Sequence, residues 1–193
     1  MLKRRELTDL LISWLTLSFA FAWIGIQIFS LRGIAAFIDN FVLMLIAVGV
    51  GFIFHELSHK FVAQRFGAHA EFRAWNQGLL LAVALAVLTN GMFTFAAPGA
   101  VYVMGHNITM KKNALISLAG PITNVIAGAI FMVLYYIGVA PDITHGVAWV
   151  NFFLGAFNML PIYPLDGSKV FSWNPLVWSV TFIPMLGIAF GMR

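Results

Sequence analysis

The stretch IAAFIDNFVLMLIAVGVGFIFHELSHKFVAQRF, residues 34–66, decides the reading of this chain. Its first part is apolar and long enough to cross a hydrocarbon core, which takes roughly 20 residues of helix. Its second part carries His55, Glu56, His59, Lys60 and Arg65. Ionisable groups at membrane depth are costly and usually functional. Working outward, Leu10 to Phe29 is another such run, preceded by Lys3, Arg4 and Arg5. Phe, Trp and Ile continue where a cleaved leader would need small residues, so it reads as a retained span. Asn113 to Gly138, His145 to Leu160 and Pro175 to Phe190 supply three more.

The segment between residues 66 and 113 breaks this pattern. Leu79 to Leu88 is wholly apolar but only ten residues long, and Asn90-Gly91 follows. It is too short to span and reads as a dip that returns to its own side. Met92 to Met104 reads as two short strands around Pro98-Gly99, and Ala70 to Trp75 as a further strand. Open strand edges do not face lipid, so such a sheet must be covered by helices or line a wet cavity. The expectation is an all-α polytopic membrane protein of about five to six transmembrane helices. It adds a short re-entrant segment and a small β-hairpin or sheet near the cytoplasmic side, in one domain over residues 1–193.

Composition agrees. Of the 193 residues 61% are apolar and 9% charged, with a mean hydropathy of +0.92. An ordinary soluble domain is about 25% charged. That excludes a soluble enzyme, a disordered chain and a nucleic-acid-binding module, since so little polar surface could not cover the apolar remainder. The net charge of +4 forms no single basic patch, and the basic residues bracket the apolar runs. If residues 79–88 dip and return, Lys3, Arg4, Arg5, Lys60, Arg65, Arg73, Lys111, Lys112 and Lys169 share one side. Only Arg32 and Arg193 then lie opposite. The positive-inside rule makes the richer side cytoplasmic. The chain has no cysteine, which excludes thiolate metal sites and a cysteine nucleophile.

His55-Glu56-Leu57-Ser58-His59 carries the chemistry. Residues four apart on a helix share a face, so both imidazoles can reach one Zn²⁺. Glu56 sits beside them, close enough to take a proton from a water at the metal without being a ligand. Two histidines leave such a site one protein ligand short. Asp166 is the leading candidate, since it follows the fourth span and falls on the same membrane face as His59. The prolines at 161 and 164 oppose regular helix before it, and Gly167 permits a tight turn beside it. Its alternative role is to cap a helix over Ser168–Ser172. Glu71 is the rival ligand, although pairing with Arg73 suits it better. His69, His106 and His145 read as structural. Asn124, after Gly120-Pro121 in an apolar helix, could bond between helices or contact substrate. Asn158, closer to Asp166, reads as functional.

These motifs together resemble the site-2 protease family of intramembrane zinc metalloproteases. The resemblance rests on His55-Glu56-x-x-His59, Ala119-Gly120-Pro121-x-x-Asn124, Asn158 and Leu165-Asp166-Gly167, in that order, over about residues 45 to 170. It implies one Zn²⁺ held by His55, His59 and Asp166, Glu56 as general base, and Asn158, with Asn124, toward the substrate. It also implies a transmembrane protein substrate in the lipid bilayer, a multi-pass location in the cell membrane, and an active site toward the cytoplasm. Many members carry PDZ or CBS domains, for which this sequence has no room. Two other classes compete. A metal-ion transporter could use the His/Asp cluster as a transit site, but needs no base and commonly shows repeated halves, which are absent here. A prenyl-protein-type membrane protease would need a glutamate as third ligand, and only Glu71 could serve.

Overall fold

The computed structural model describes residues 2–23, 30–92, 98–105 and 107–191. They form eight α-helices and two strands, gathered into two compact units. The first unit comprises residues 1–49 and 71–102, the second residues 50–70 and 103–193.

In the first unit, α1 (Arg4–Ala22) packs on α2 (Leu31–Val48) and on α4 (Asn76–Leu88). Small residues set the α1–α4 contact: Ala20, Ala82 and Ala86 are all but fully buried against one another. Trp14 Nε1 donates to the Leu45 carbonyl at 2.9 Å, tying α1 to α2 inside an apolar setting where few other polar partners exist. The stretch expected to dip is helical. At 1.5 Å per residue the 13 residues of α4 extend about 20 Å, well short of the roughly 30 Å hydrocarbon core.

Strands β1 (His69–Ala74) and β2 (Gly99–Met104) pair in a two-stranded antiparallel sheet. β1 matches the strand expected at 70–75. Pro98-Gly99 opens β2, and the other strand expected in Met92–Met104 falls on residues 93–97, outside the described residues. Gly99 allows the close pairing, because a Cβ there would lie 2.2 Å from the Arg73 carbonyl oxygen. On β1's other side, buried Glu6 accepts the Phe72 amide hydrogen at 3.1 Å. That backbone amide is therefore satisfied by a side chain, as a polar group beside apolar helices requires.

The second unit is built on α5 (Met110–Tyr136), which packs against α3 (Phe54–Arg65), α6 (Pro141–Asn158) and the short α7 (Asp166–Trp173). α8 (Pro175–Gly191) closes over α6 and α7, with Met159, Val170 and Phe182 in the shared core. Glycines bring α5 and α6 together: a Cβ on Gly128 would lie 3.0 Å from the Phe152 ring.

Among the described residues, two helical runs are long and apolar enough to cross a membrane, Leu31–Arg65 and Met110–Tyr136. The first includes a π-helical segment, Gly49–Ile53, immediately before the His55 turn. Both carry exposed apolar stripes at helical spacing: Ile34, Ile38, Val42 and Ile46 on one, Ile122, Ile126 and Ile130 on the other. Such stripes are unsuited to water and suited to lipid.

Candidate metal centre

α3 begins one residue before His55, so His55 and His59 project from one face onto α5. Each ring is fixed through its Nδ1. His59 Nδ1 donates to the Ile116 carbonyl at 2.7 Å, and His55 Nδ1 donates to Asn124 Oδ1 at 2.5 Å. Both partners are oxygens that can only accept, which leaves each neutral ring a bare lone pair on Nε2. Those two Nε2 atoms face the same oxygen, Asp166 Oδ2, at 3.2 Å from His55 and 3.1 Å from His59. The three side chains are buried. The outer oxygen of Asp166, Oδ1, lies 3.5 Å from Lys169 Nζ.

In that tautomer the two Nε2 lone pairs and the Asp166 carboxylate oxygen converge, a set that calls for a shared proton or a cation. A tetrahedral ion with ligand bonds of about 2.0–2.1 Å spaces its ligand atoms about 3.3 Å apart, close to both observed separations. Among the described residues this is the only His/Asp/Glu group of its kind. Gly120 supplies the room. A Cβ there would lie 2.5 Å from both Nε2 atoms, so only a glycine leaves the space beside the rings open. The donor set and the cradle both fit Zn²⁺ with a free fourth position.

The structure places the other sequence candidates as follows. Glu56 is buried on α3, within electrostatic reach of His55, Asp166 and Lys169. Asp166 opens α7 but caps nothing: the N-cap position is Leu165, and no side-chain hydrogen bond closes that helix start. Glu71 is held in ion pairs with Arg73 at 2.9 Å and Lys3 at 3.6 Å, and stands outside the metal-ligand group. Asn158 ends α6, its Nδ2 donating to the Leu154 carbonyl at 3.0 Å. Asn124 is 1% exposed, and its side chain is committed to His55, Gly51 and Asn151. His69 is exposed at the start of β1, and His145 packs on the Tyr135 ring. His106 lies outside the described residues.

Asp166 reaches the site because Gly167 lets α7 start against the end of α6. A Cβ on Gly167 would sit 2.0 Å from the Met159 carbonyl oxygen, which Trp178 Nε1 also holds at 2.7 Å. Gly167→Ala is therefore expected to push Asp166 off the histidines. Zinc affinity, measured by chelator competition, should fall by at least about tenfold, in line with the cost of disturbing a ligand's support. Sequence reasoning missed Asn151 and the role of Gly120. A lone Asn in an apolar helix was the available signal for the first.

No family model and no solved structure matches the chain. Among curated proteins it is 42% identical over 188 residues to "Putative zinc metalloprotease MJ0611" of Methanocaldococcus jannaschii, covering 95% of this chain and 92% of that one. The chain belongs to the site-2 protease family of zinc metalloproteases. More distant relatives bear similar names. "Putative zinc metalloprotease Rip2" of Mycolicibacterium smegmatis is 30% identical across 77% of this chain and 62% of its own length. "Zinc metalloprotease MJ0392", also of M. jannaschii, is 25% identical across 67% of this chain and 32% of its own. For a site-2 protease homologue, convergence of both HExxH histidines and an aspartate on one point gives the family's zinc a place in this chain.

Proposed function

We propose that the chain is an intramembrane zinc endopeptidase that hydrolyses a peptide bond within a transmembrane segment of another membrane protein. The observation that carries this reading is the position of the metal-ligating pair. His55 and His59 lie in Leu31–Arg65, a helical run long and apolar enough to cross the bilayer, and they are buried there beside Glu56.

His55, His59 and Asp166 would hold the zinc, which when bound would supply a Lewis acid for the scissile carbonyl and for water. Glu56 takes the proton of the attacking water and returns it to the leaving amine. Asn158, at the end of α6, contacts the substrate backbone or the developing oxyanion. The substrate helix must unwind to present a bond, and strand addition to the sheet is one way to hold it extended. The chain crosses the cell membrane about five to six times, with residues 79–88 re-entrant and the active site toward the cytoplasm.

Two experiments test this. Purified Asp166→Asn protein should lose both zinc and cleavage of a membrane-spanning peptide, whereas Glu71→Gln should keep zinc near the wild-type content. The opposite pattern would favour the prenyl-protease-type alternative. For topology, the cysteine-free chain allows single-cysteine labelling at 65, 111 and 169. All three should react from one side. Labelling of 111 from the other side would mean that residues 79–88 cross.

A further inference from the structure

We infer that Asn124 is a positioning residue of the metal centre: it sets the tautomer of His55 and so delivers the Nε2 lone pair to the zinc. The inference rests on the zinc-site reading above and assigns the Gly120-to-Asn124 turn of α5 to the metal, one residue opening the space and the other orienting a ligand.

Neutral imidazole carries one hydrogen, and the nitrogen that bears it is set by the hydrogen bond it makes. A ligand histidine needs its hydrogen away from the metal. For His59 the backbone guarantees this, because the Ile116 carbonyl can only accept. For His55 the partner is a side-chain amide, which could present either its oxygen or its nitrogen. Three observations fix the choice. Asn124 Nδ2 donates to the Gly51 carbonyl at 2.8 Å, a group in the π-helical segment that precedes His55. The same Nδ2 lies 3.3 Å from Asn151 Oδ1. Asn151 is itself oriented, since its Nδ2 donates to the Val147 carbonyl at 2.8 Å, leaving its oxygen toward Asn124. With both donors of Asn124 directed at oxygens, its Oδ1 must face His55. The chain Val147–Asn151–Asn124–His55 is wholly buried in the second unit, so water cannot substitute for any link. Gly51 keeps the approach open: a Cβ there would lie 2.8 Å from Leu154 Cδ1 and 3.2 Å from Asn151 Oδ1.

The test is nitrogen NMR of metal-free, ¹⁵N-histidine-labelled protein at a pH where the ¹⁵N shifts themselves show both rings neutral, with zinc affinity measured in parallel. In wild type, His55 and His59 should both carry hydrogen on Nδ1. Asn124→Leu removes the acceptor, so His55 should shift toward the Nε2–H form while His59 stays unchanged as an internal control. Zinc should then bind about 10–100-fold more weakly, the usual cost of losing a ligand's outer hydrogen-bond partner. Asn124→Asp keeps an acceptor for Nδ1 while losing the interhelical donors and adding an ionisable carboxyl, so His55 should keep its hydrogen on Nδ1. An Nε2–H His55 in the wild type would overturn the inference without any variant. So would an Asn124→Leu protein whose tautomer is unshifted or whose zinc affinity is within about twofold of wild type, or an Asn124→Asp protein that shifts like Asn124→Leu. No substrate enters these measurements. A protein that held zinc this way and cut nothing would leave the inference standing and sink the protease reading.

Discussion

Glu56→Gln is expected to keep its zinc and lose its proteolysis. Glutamine matches glutamate in size and retains hydrogen-bonding capacity, so the α3 face and the two imidazoles it carries should stay in place. Neither ring is held by Glu56: His59 is fixed by the Ile116 carbonyl and His55 by Asn124. The amide cannot accept the proton of the attacking water, and it cannot return one to the leaving amine. General acid–base assistance of this kind contributes typically 10²–10⁴-fold, so cleavage should slow by at least about two orders of magnitude. The check is zinc content by elemental analysis beside single-turnover cleavage of a membrane-spanning peptide. Wild-type rates in this variant would remove Glu56 from the reaction. Loss of zinc would instead make it a ligand.

Gly120→Ala should give the opposite signature. The added methyl would lie 2.5 Å from His55 Nε2, 2.5 Å from His59 Nε2 and 2.6 Å from His55 Cδ2, far inside van der Waals contact. Neither ring can yield cheaply, since each is buried and tethered through Nδ1. The rings must turn away from Asp166, and the methyl takes the space they leave. Zinc content should fall from about one per chain to nearly none, a larger loss than the roughly 10–100-fold penalty of removing an outer partner. Helical content by circular dichroism should persist, because α5 keeps its length and alanine favours helix over glycine by about 1 kcal/mol. Full zinc occupancy in this variant would show that the ion does not sit where the two Nε2 atoms converge. Together the two variants separate chemistry from metal binding.

Much of this was legible in the sequence because the signals were local. A four-residue spacing on a helix fixes which side chains share a face, and Asp166 stood out among few acidic residues as the one beside Gly167 and past a span. What escaped the sequence depends on contacts between distant segments. β1 and β2 pair across the intervening α4, and nothing in either strand specifies that partner. The 79–88 stretch reads as apolar and short, but whether it coils into α4 is decided by the alanines it offers to Ala20 of α1. Asn124 shows the limit most clearly. Its place after Gly120-Pro121 marks it as special, yet a sequence cannot say whether its amide points at a substrate or at a ligand histidine. Only Gly51 and Asn151, brought in from other helices, decide the direction. Gly120 was visible as a motif residue, but its effect lies in the absence of a side chain, which spacing alone does not interpret.

The measurement that bears most directly on the central claim is the position and metal dependence of the cut. Wild-type protein reconstituted in liposomes with a single-span peptide would be assayed by mass spectrometry of the products. Samples would be taken before chelation, after chelation and after zinc is restored. The account predicts cleavage inside the apolar span, abolished by the chelator and recovered with zinc. Cleavage confined to the aqueous flanks, cleavage indifferent to zinc, or zinc crossing the liposome membrane with no peptide cut would contradict it.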